Sequence, residues 1–270
     1  MRANQDKPAR RRPPAVAGLF YPANATELRH MLGDLMARVQ YTGKVPKALI
    51  APHAGYIYSG LTAARAYITL QSIREQVRRV VLLGPAHRVY TRGLALSTAD
   101  YFTTPLGDIE IDSDAIDKIA DLPQVITFDE THQQEHSLEV HLPFLQILFH
   151  DFRVIPLVVG EASPEEVAGV LERLWGGEET VIIISSDLSH FHDYETACRI
   201  DRMTTSAIEQ LQLEKIGSQQ ACGCMPVRGL IKLARDLEMS VKTLDLCNSG
   251  DTAGNRDRVV GYGAYAFYLQ

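Results

Sequence analysis

Residues 49–56 read LIAPHAGY, an apolar run that passes through a proline into His53. A short apolar run of this kind is typical of a strand that is buried on both faces of a parallel sheet. The same construction occurs twice more, in VVLLGPAH at 80–87 with His87 and in IIISSDLSH at 182–190 with His190. Three separate strand ends therefore each deliver one histidine.

Apolar runs of strand length alternate along the chain with segments of helical period. The predicted strands are 47–51, 79–84, 93–97, 153–159, 181–185 and 259–268. The predicted helices are 25–39, 60–73, 112–120, 163–174, 194–211 and 225–237, with Thr26, Ser113 and Ser163 as plausible caps. This order predicts a three-layer α/β/α fold with a mixed, largely parallel central sheet. Because parallel strands end at the same edge, we expect His53, His87 and His190 to share a pocket there.

The composition is that of one globular domain, expected over residues 15–270. Of the 270 residues, 46% are hydrophobic and 22% are charged, and the net charge is −6. A negative chain has no general affinity for nucleic acid, which binds clustered cations. The one basic run, Arg10 to Arg12, precedes two prolines, so we predict a flexible, solvated tail over residues 1–14.

The sequence predicts a cytoplasmic protein. No apolar stretch approaches the roughly 18 residues of a membrane span, and the charged start lacks a signal-peptide core. Four cysteines are too few and too irregularly spaced for a disulfide framework in this chain. Cys222 and Cys224 flank a single glycine, which is not zinc-knuckle spacing, so we interpret them as packing residues.

Converging imidazoles predict a transition-metal site. Neutral histidine suits Fe, Cu, Ni and Zn, and a carboxylate would complete the ligand set. Asp187 either orients a ring near the pocket or caps a turn or helix. In EHSLEVHLPF, residues 135–144, Glu135 and His136 either line the pocket or form a polar structural network. The sequence favours a pocket role less for His141.

Several short motifs, taken in order, resemble the Memo family, also described as protein B of the AmmeMemoRadiSam system. They span nearly the whole chain: AGLFYP at 17–22, PHAGYIYSG at 52–60, LGPAH at 83–87, TPLG at 104–107, EHSLEVHLP at 135–143, SSDLSH at 185–190 and VGY at 260–262. The resemblance implies a fold like that of class III extradiol dioxygenases, which open catechol rings with Fe(II) held by two histidines and a carboxylate.

By that resemblance His53 and His87 match the metal ligands, and His190, accompanied by Asp187, matches the acid or base histidine. Eukaryotic Memo proteins are described as phosphotyrosine-peptide-binding effectors and as copper- or iron-binding redox proteins. A likeness of fold does not transfer the reaction, because function resides in the site.

The animal members place a cysteine near the C-terminus at the metal, and this sequence departs from that pattern. Thr252 stands at the expected position and Cys247 lies five residues earlier. We therefore expect the adjacent Asp251 to complete the metal site; the alternative is that Asp251 only shapes a turn. Tyr56, Glu135, His136 and Thr252 are expected to line the pocket.

Two functions remain open at this point. One is a redox enzyme that uses Fe(II), with Cu and Zn as alternatives, on a small molecule such as a phenol, while His190 moves a proton. The other is a module that binds a peptide or small anion without turnover. Such a module would present several cations, and the motif loops offer only Arg88 and Arg92. The sequence therefore favours the enzyme.

Overall fold

The computed structural model describes residues 8–270, and within them the chain alternates strands and helices. The strands are β1 (Arg11–Arg12), β2 (Ala48–Ala51), β3 (Arg79–Pro85), β4 (Leu94–Leu96), β5 (Tyr101–Thr104), β6 (Gly107–Glu110), β7 (Val125–Thr127), β8 (Arg153–Val159), β9 (Thr180–Ser185), β10 (His190–His192), β11 (Ser240–Asn248) and β12 (Val259–Tyr268). The α-helices are α1 (Ala25–Ala37), α2 (Tyr56–Tyr67), α3 (Ser113–Ile116), α4 (Glu130–Gln133), α5 (Leu142–Leu148), α6 (Pro164–Arg173), α7 (Tyr194–Glu209) and α8 (Cys224–Asp236). Short 3₁₀ helices cover Ile68–Ile73, Glu139–His141, Leu213–Lys215 and Ser249–Asp251.

The main sheet is mixed, with a parallel centre. Its order is β10, β12, β2, β9, β3, β8, β4, β7, and β11 pairs with β12. Strands β2, β9, β3 and β8 run parallel, whereas β12 and β4 flank them in antiparallel orientation. Strands β1, β5 and β6 form a separate small sheet.

Helices cover both faces of the main sheet, which explains why its central strands are continuously apolar. Val80 and Leu82 of β3 face one core, where they join residues of α1, α2 and α5. Val81 and Leu83 face the other core, which includes residues of α6, α7 and α8. The predicted three-layer α/β/α arrangement is confirmed.

Helix ends differ in detail from the sequence prediction. Ser163 caps α6 as expected and forms a capping box with Glu166. At α1 and α3 the caps are instead Asn24 and Asp112, whose side chains accept backbone N–H groups of the first turn. Strands β5, β6, β7, β10 and β11 were not predicted, because most are short and lack a clear alternation of apolar and polar residues.

The predicted solvated tail over residues 1–14 has to be corrected for Arg11 and Arg12. These residues form β1, which pairs in parallel with β5, and Arg12 is only 5% exposed. The Arg12 guanidinium pairs with the Glu139 carboxylate and donates to the backbone oxygens of Glu135 and His132 at 2.5 and 2.9 Å. The buried Glu139 carboxylate thus holds the segment of Arg12 in place. Glu139 lies 127 residues further along the chain, so local sequence patterns could not indicate this pairing. Residues 1–7 lie outside the described part of the chain.

Within the described residues, no helix combines the length and apolar character needed to cross a membrane.

Candidate metal centre

Three histidine rings meet at the carboxyl edge of the central strands. His53 follows β2 and His87 follows β3, and their ring centroids lie 5.2 Å apart. His136 stacks on His87 at 4.8 Å and meets His53 edge-on at 5.4 Å. One nitrogen from each ring falls in a set whose members all lie within 4.8 Å of one another. The structure thus brings together the two strand-end histidines that we predicted as ligands, with a third that we had placed only in the pocket wall.

Ser185 fixes the ring of His53. The Ser185 hydroxyl donates to the backbone oxygen of Ser137 at 2.6 Å, so its oxygen accepts from His53 Nδ1–H, also at 2.6 Å. Burial lowers the pKa of His53 well below its ordinary value, and the neighbouring histidines lower it further. The ring is therefore neutral, with Nδ1 protonated and the Nε2 lone pair available.

Glu135 fixes His87 in the same sense. Its Oε1 lies 2.9 Å from His87 Nδ1, and the carboxylate also accepts the backbone N–H groups of His87, His136 and Ser137. Burial alone would raise the pKa of Glu135, but the hydrogen bonds and charge of His87 and the backbone donors lower it to about 2. An ionised carboxylate behind an imidazole is a common support for a metal ligand, because it leaves Nε2 free.

His136 reaches the cluster from an irregular segment. Its ring lies between His87 and Phe20, each 4.8 Å away by centroid. Its Nδ1 is buried without a hydrogen-bond partner among the described residues, and burial is the main cause that lowers its pKa to about 4. A buried, unpartnered imidazole nitrogen beside two others is available to a cation.

Gly84 allows this segment to reach the sheet. A Cβ at position 84 would lie 2.8 Å from Ser137 Oγ and 2.9 Å from Leu138 Cδ2. A larger residue would force the side chains of Ser137 and Leu138 to shift, so the glycine of LGPAH allows the segment after His136 to pack closely on β3.

Cys222 also contacts the cluster, contrary to its interpretation as a packing residue. Its Sγ lies 3.3 Å from His53 Nε2 and accepts the backbone N–H of Asp187 at 3.3 Å. The approach depends on Gly223, because a Cβ there would lie 2.5 Å from the backbone oxygen of Ser185. Burial raises the pKa of the Cys222 thiol, so the sulfur is protonated when no cation is bound. The Cys-Gly pair ahead of α8 was the one sequence signal for this contact.

The donor set fits a transition-metal ion. Metal-to-imidazole bonds of about 2.1 Å limit the separation of two ligand nitrogens on one ion to about 4.2 Å. A pair of nitrogens 4.8 Å apart would therefore have to close by at least about 0.6 Å, and by about 1.4 Å at a tetrahedral ion, where two ligand nitrogens lie about 3.4 Å apart. His53, His87 and His136 are the residues that would hold such an ion, with the Cys222 sulfur in reach.

His190 lines a pocket of about 640 Å³ that also exposes His136 and Asp187. The backbone oxygen of Leu188 accepts from His190 Nδ1–H at 2.8 Å, so Nε2 is the ring nitrogen that this bond leaves free.

Asp187 is buried, with 4% of its surface exposed, and its carboxyl group contacts His53. Its Oδ1 accepts the His53 backbone N–H at 2.8 Å, and its Oδ2 lies 3.9 Å from His53 Nε2. Burial raises the pKa of Asp187 to about 6, against the opposing influence of His190. Asp187 therefore supports the loop of His53, in addition to facing the pocket with His190.

The structure does not bring Asp251 or Thr252 to the histidines. Asp251 is exposed; its carboxylate accepts from the Tyr194 hydroxyl at 2.6 Å and from the Asn248 backbone N–H at 3.0 Å. Thr252 is exposed and donates to the backbone oxygen of Ser249. These contacts favour the alternative interpretation of Asp251 as a residue that shapes a turn, because one carboxylate oxygen caps the turn and the other accepts from Tyr194 of α7. Cys247 lies on β11, with its sulfur 3.2 Å from the Thr62 hydroxyl.

Tyr56 packs in the core instead of lining the pocket. It is 3% exposed, contacts the rings of Tyr21 and Phe144, and donates to the backbone oxygen of Val140 at 2.7 Å. The tyrosines that line the pocket are Tyr58 and Tyr262. Tyr58 follows Tyr56 by two residues on α2, and residues two apart on an α-helix point their side chains to different sides of the helix.

Fold and site together define an α/β protein with a metal-capable, histidine-lined pocket at the carboxyl edge of its sheet. The chain belongs to the Memo family: the model of the family described as Memo-like protein matches residues 12–266.

Curated relatives match over almost their whole length. A MEMO1 family protein of Aquifex aeolicus is 38% identical, covering 93% of this chain and 97% of the relative. A MEMO1 family protein of Aeropyrum pernix is 37% identical, covering 94% and 98%. Among solved structures, an uncharacterised protein from Escherichia coli K12 aligns with a TM-score of 0.48 and 14% identity, over 80% of this chain and 98% of that one.

Proposed function

We propose that this chain binds one transition-metal ion at the histidine cluster and uses it in redox chemistry on a small molecule, such as a phenol. The observation that carries the proposal is the pair of Nδ1 hydrogen bonds, from His53 to Ser185 and from His87 to Glu135. Both hydrogen bonds engage Nδ1 and leave Nε2 as the nitrogen through which each imidazole would bind a metal. Iron and copper are the redox-active ions that imidazoles suit, and the nearby thiol favours copper or zinc more than a carboxylate would.

The residues of the pocket would divide the work between binding and proton transfer. When bound, the ion supplies electron transfer and polarises an oxygen atom of the ligand. His190 Nε2 takes or returns the ligand's proton, since its Nδ1 is committed to Leu188. Phe20, Tyr58 and Tyr262 would form an aromatic wall of the pocket that limits the access of water to the ligand.

Metal content tests the proposal directly. Protein purified without oxygen and reconstituted with Fe(II), Cu(I) or Zn(II) should hold about one ion per chain by elemental analysis. His53→Ala and His87→Ala should lose the ion, whereas His150→Ala, at a side chain that is 68% exposed, should retain it. Stoichiometric metal in the His53→Ala, His87→Ala double variant would refute the site.

The role of His190 is tested separately. In a screen of catechols and other phenols followed by oxygen consumption, His190→Ala should lower turnover roughly 10²- to 10⁴-fold with normal metal content. Loss of the metal in that variant would make His190 a ligand.

Cys222→Ser should weaken copper and zinc binding, and Cys247→Ser, the matched control on β11, should not.

A further inference from the structure

The mouth of the pocket displays an aromatic ring on a strained backbone. Phe191, directly after His190, has a φ of 63° and is 61% exposed. This left-handed conformation is unfavourable for a bulky side chain, and strain of this kind is concentrated at functional sites. Leu19, which also lines the pocket, is 80% exposed. The entrance is therefore apolar, at a conformational cost to Phe191.

A cation lies against this ring. The Arg258 guanidinium carbon is 5.0 Å from the Phe191 centroid, and Arg258 lines the same pocket. Among residues 8–270, Arg258 takes part in no ion pair within 4.0 Å. Asn255 is next to it in the lining and accepts the Arg258 backbone N–H with its side-chain oxygen, so its amide nitrogen adds a donor. The rim thus offers N–H donors and a positive charge that the described residues do not neutralise.

Charge is distributed unevenly between the rim and the floor. The floor holds the carboxyl group of Asp187, which is 4% exposed, together with His136 and His190, whereas Arg258 at the rim is exposed. A negative group deep in the pocket would meet the Asp187 carboxyl, whereas at the rim it would meet Arg258. A carboxylate that contacts Arg258 would therefore lie at the rim, with the rest of the ligand extending toward the histidines.

We propose that Arg258 and Phe191 select a small aromatic carboxylate. Its carboxylate binds the guanidinium, its ring packs on Phe191 and Leu19, and its far end faces the histidine cluster. A single exposed guanidinium suits a monoanion, which it contacts through two N–H donors. A pocket of about 640 Å³ has the size of a small-molecule site. The orientation of the far end rests on the proposed function; the rim contact does not.

The same loop supplies a matched control. The Arg256 guanidinium lies 4.3 Å from the Tyr194 ring, and neither residue lines the pocket. Both Arg256→Gln and Arg258→Gln remove an exposed arginine that lies against an aromatic ring. Only Arg258→Gln changes the rim of the pocket.

The test compares 4-hydroxyphenylacetate with its neutral amide, 4-hydroxyphenylacetamide, by calorimetry on the Zn(II)-loaded protein. The acid should bind about 10-fold more tightly, the scale of a charge-assisted hydrogen bond at a partly solvated site. Arg258→Gln should abolish this preference and Arg256→Gln should retain it. Phe191→Ala should weaken both ligands, because it removes the ring that they share.

Three results would overturn the inference: equal binding of acid and amide to the unaltered protein, equal losses in the two arginine variants, or tighter binding of phenyl phosphate than of the acid. Repeating the titrations without metal separates the two proposals. If the chain holds no metal yet Arg258 still selects the acid, the metal function fails and the rim assignment stands.

Discussion

Two buried glutamates, Glu135 and Glu139, lie four residues apart in one segment and serve opposite ends of the site. Glu135 accepts three backbone N–H groups and the ring of His87, so it supports a metal ligand. Glu139 accepts Arg12, the backbone of Ala15 and Val16 and the Tyr21 hydroxyl, so it anchors the N-terminal segment.

Residue type and burial are the same at the two positions, and only the partners differ. Both carboxylates are fully supplied with donors, as buried charges must be. One is paired with an imidazole that a metal would share, and the other with a permanent cation. The comparison predicts that Glu139 chiefly controls stability and Glu135 chiefly controls metal affinity.

The largest effect should follow Glu139→Gln, which leaves the Arg12 charge buried without its partner. Breaking a buried pair from one side costs about 3–5 kcal/mol in the free energy of unfolding, measured by urea denaturation. Metal content of the folded fraction should be unchanged. Glu110→Gln, at a half-exposed pair with Arg153, is the control and should cost under about 0.5 kcal/mol. Equal costs in the two variants would contradict the comparison.

Acid should destabilise the same segment through His141. Burial lowers the pKa of His141 to about 3 from its ordinary 6.5. The unfolded chain takes up this proton and the folded chain does not, so stability is complete above about pH 6.5 and falls as the pH drops toward 3. From pH 7 to pH 4 the metal-free protein should lose about 3 kcal/mol through this group.

Urea titrations at several pH values measure the loss. His141→Gln should reduce the pH dependence by the share of this group, with the rest due to other buried histidines such as His53 and His136, and His150→Gln, at an exposed side chain, should leave it unaltered. A slope that is the same in all three proteins would exclude His141 as its source.

Glu135→Gln should lower metal affinity by about 10- to 100-fold, the usual cost of losing the group behind a ligating histidine. The amide cannot hold the ring of His87 by charge, so Nε2 is no longer fixed. Competition with a chelator gives the affinity. An affinity equal to that of the unaltered protein would mean that His87 does not depend on Glu135.

The smallest effect on the metal should come from Asp251→Asn, because the carboxylate of Asp251 is engaged by the Tyr194 hydroxyl and the Asn248 backbone N–H. Affinity should stay at its original value, and stability should fall by about 0.5–1 kcal/mol through the weakened cap. A loss of affinity comparable with that of Glu135→Gln would restore Asp251 as a ligand.

The regular part of the molecule was predictable from the sequence. The buried strands ending before His53 and His87 have a strong apolar signal, and parallel strands share an edge, so the meeting of these two rings follows from topology. His136 and Cys222 lie on irregular segments and Asp251 lies in a three-residue 3₁₀ helix, so no periodicity indicates the direction of these side chains.

The Asp251 carboxylate contacts residues near its own turn, whereas the Glu135 carboxylate reaches a histidine ring. The sequence could not distinguish these two cases. Cys222 was missed for a related reason: its position depends on how closely Gly223 approaches Ser185, which only the packed structure defines. The N-terminal segment was misjudged because Arg12 owes its burial to Glu139, far along the chain.

The Arg12 to Glu139 pair also imposes an order of events during synthesis. Leu19 and Phe20 belong to the segment that this pair holds, and both line the pocket. The ribosome must release a further 127 residues after Arg12 before its partner exists. Until then that side of the pocket has no anchor, so a nascent chain acquires His53 and His87 well before it acquires an enclosed site.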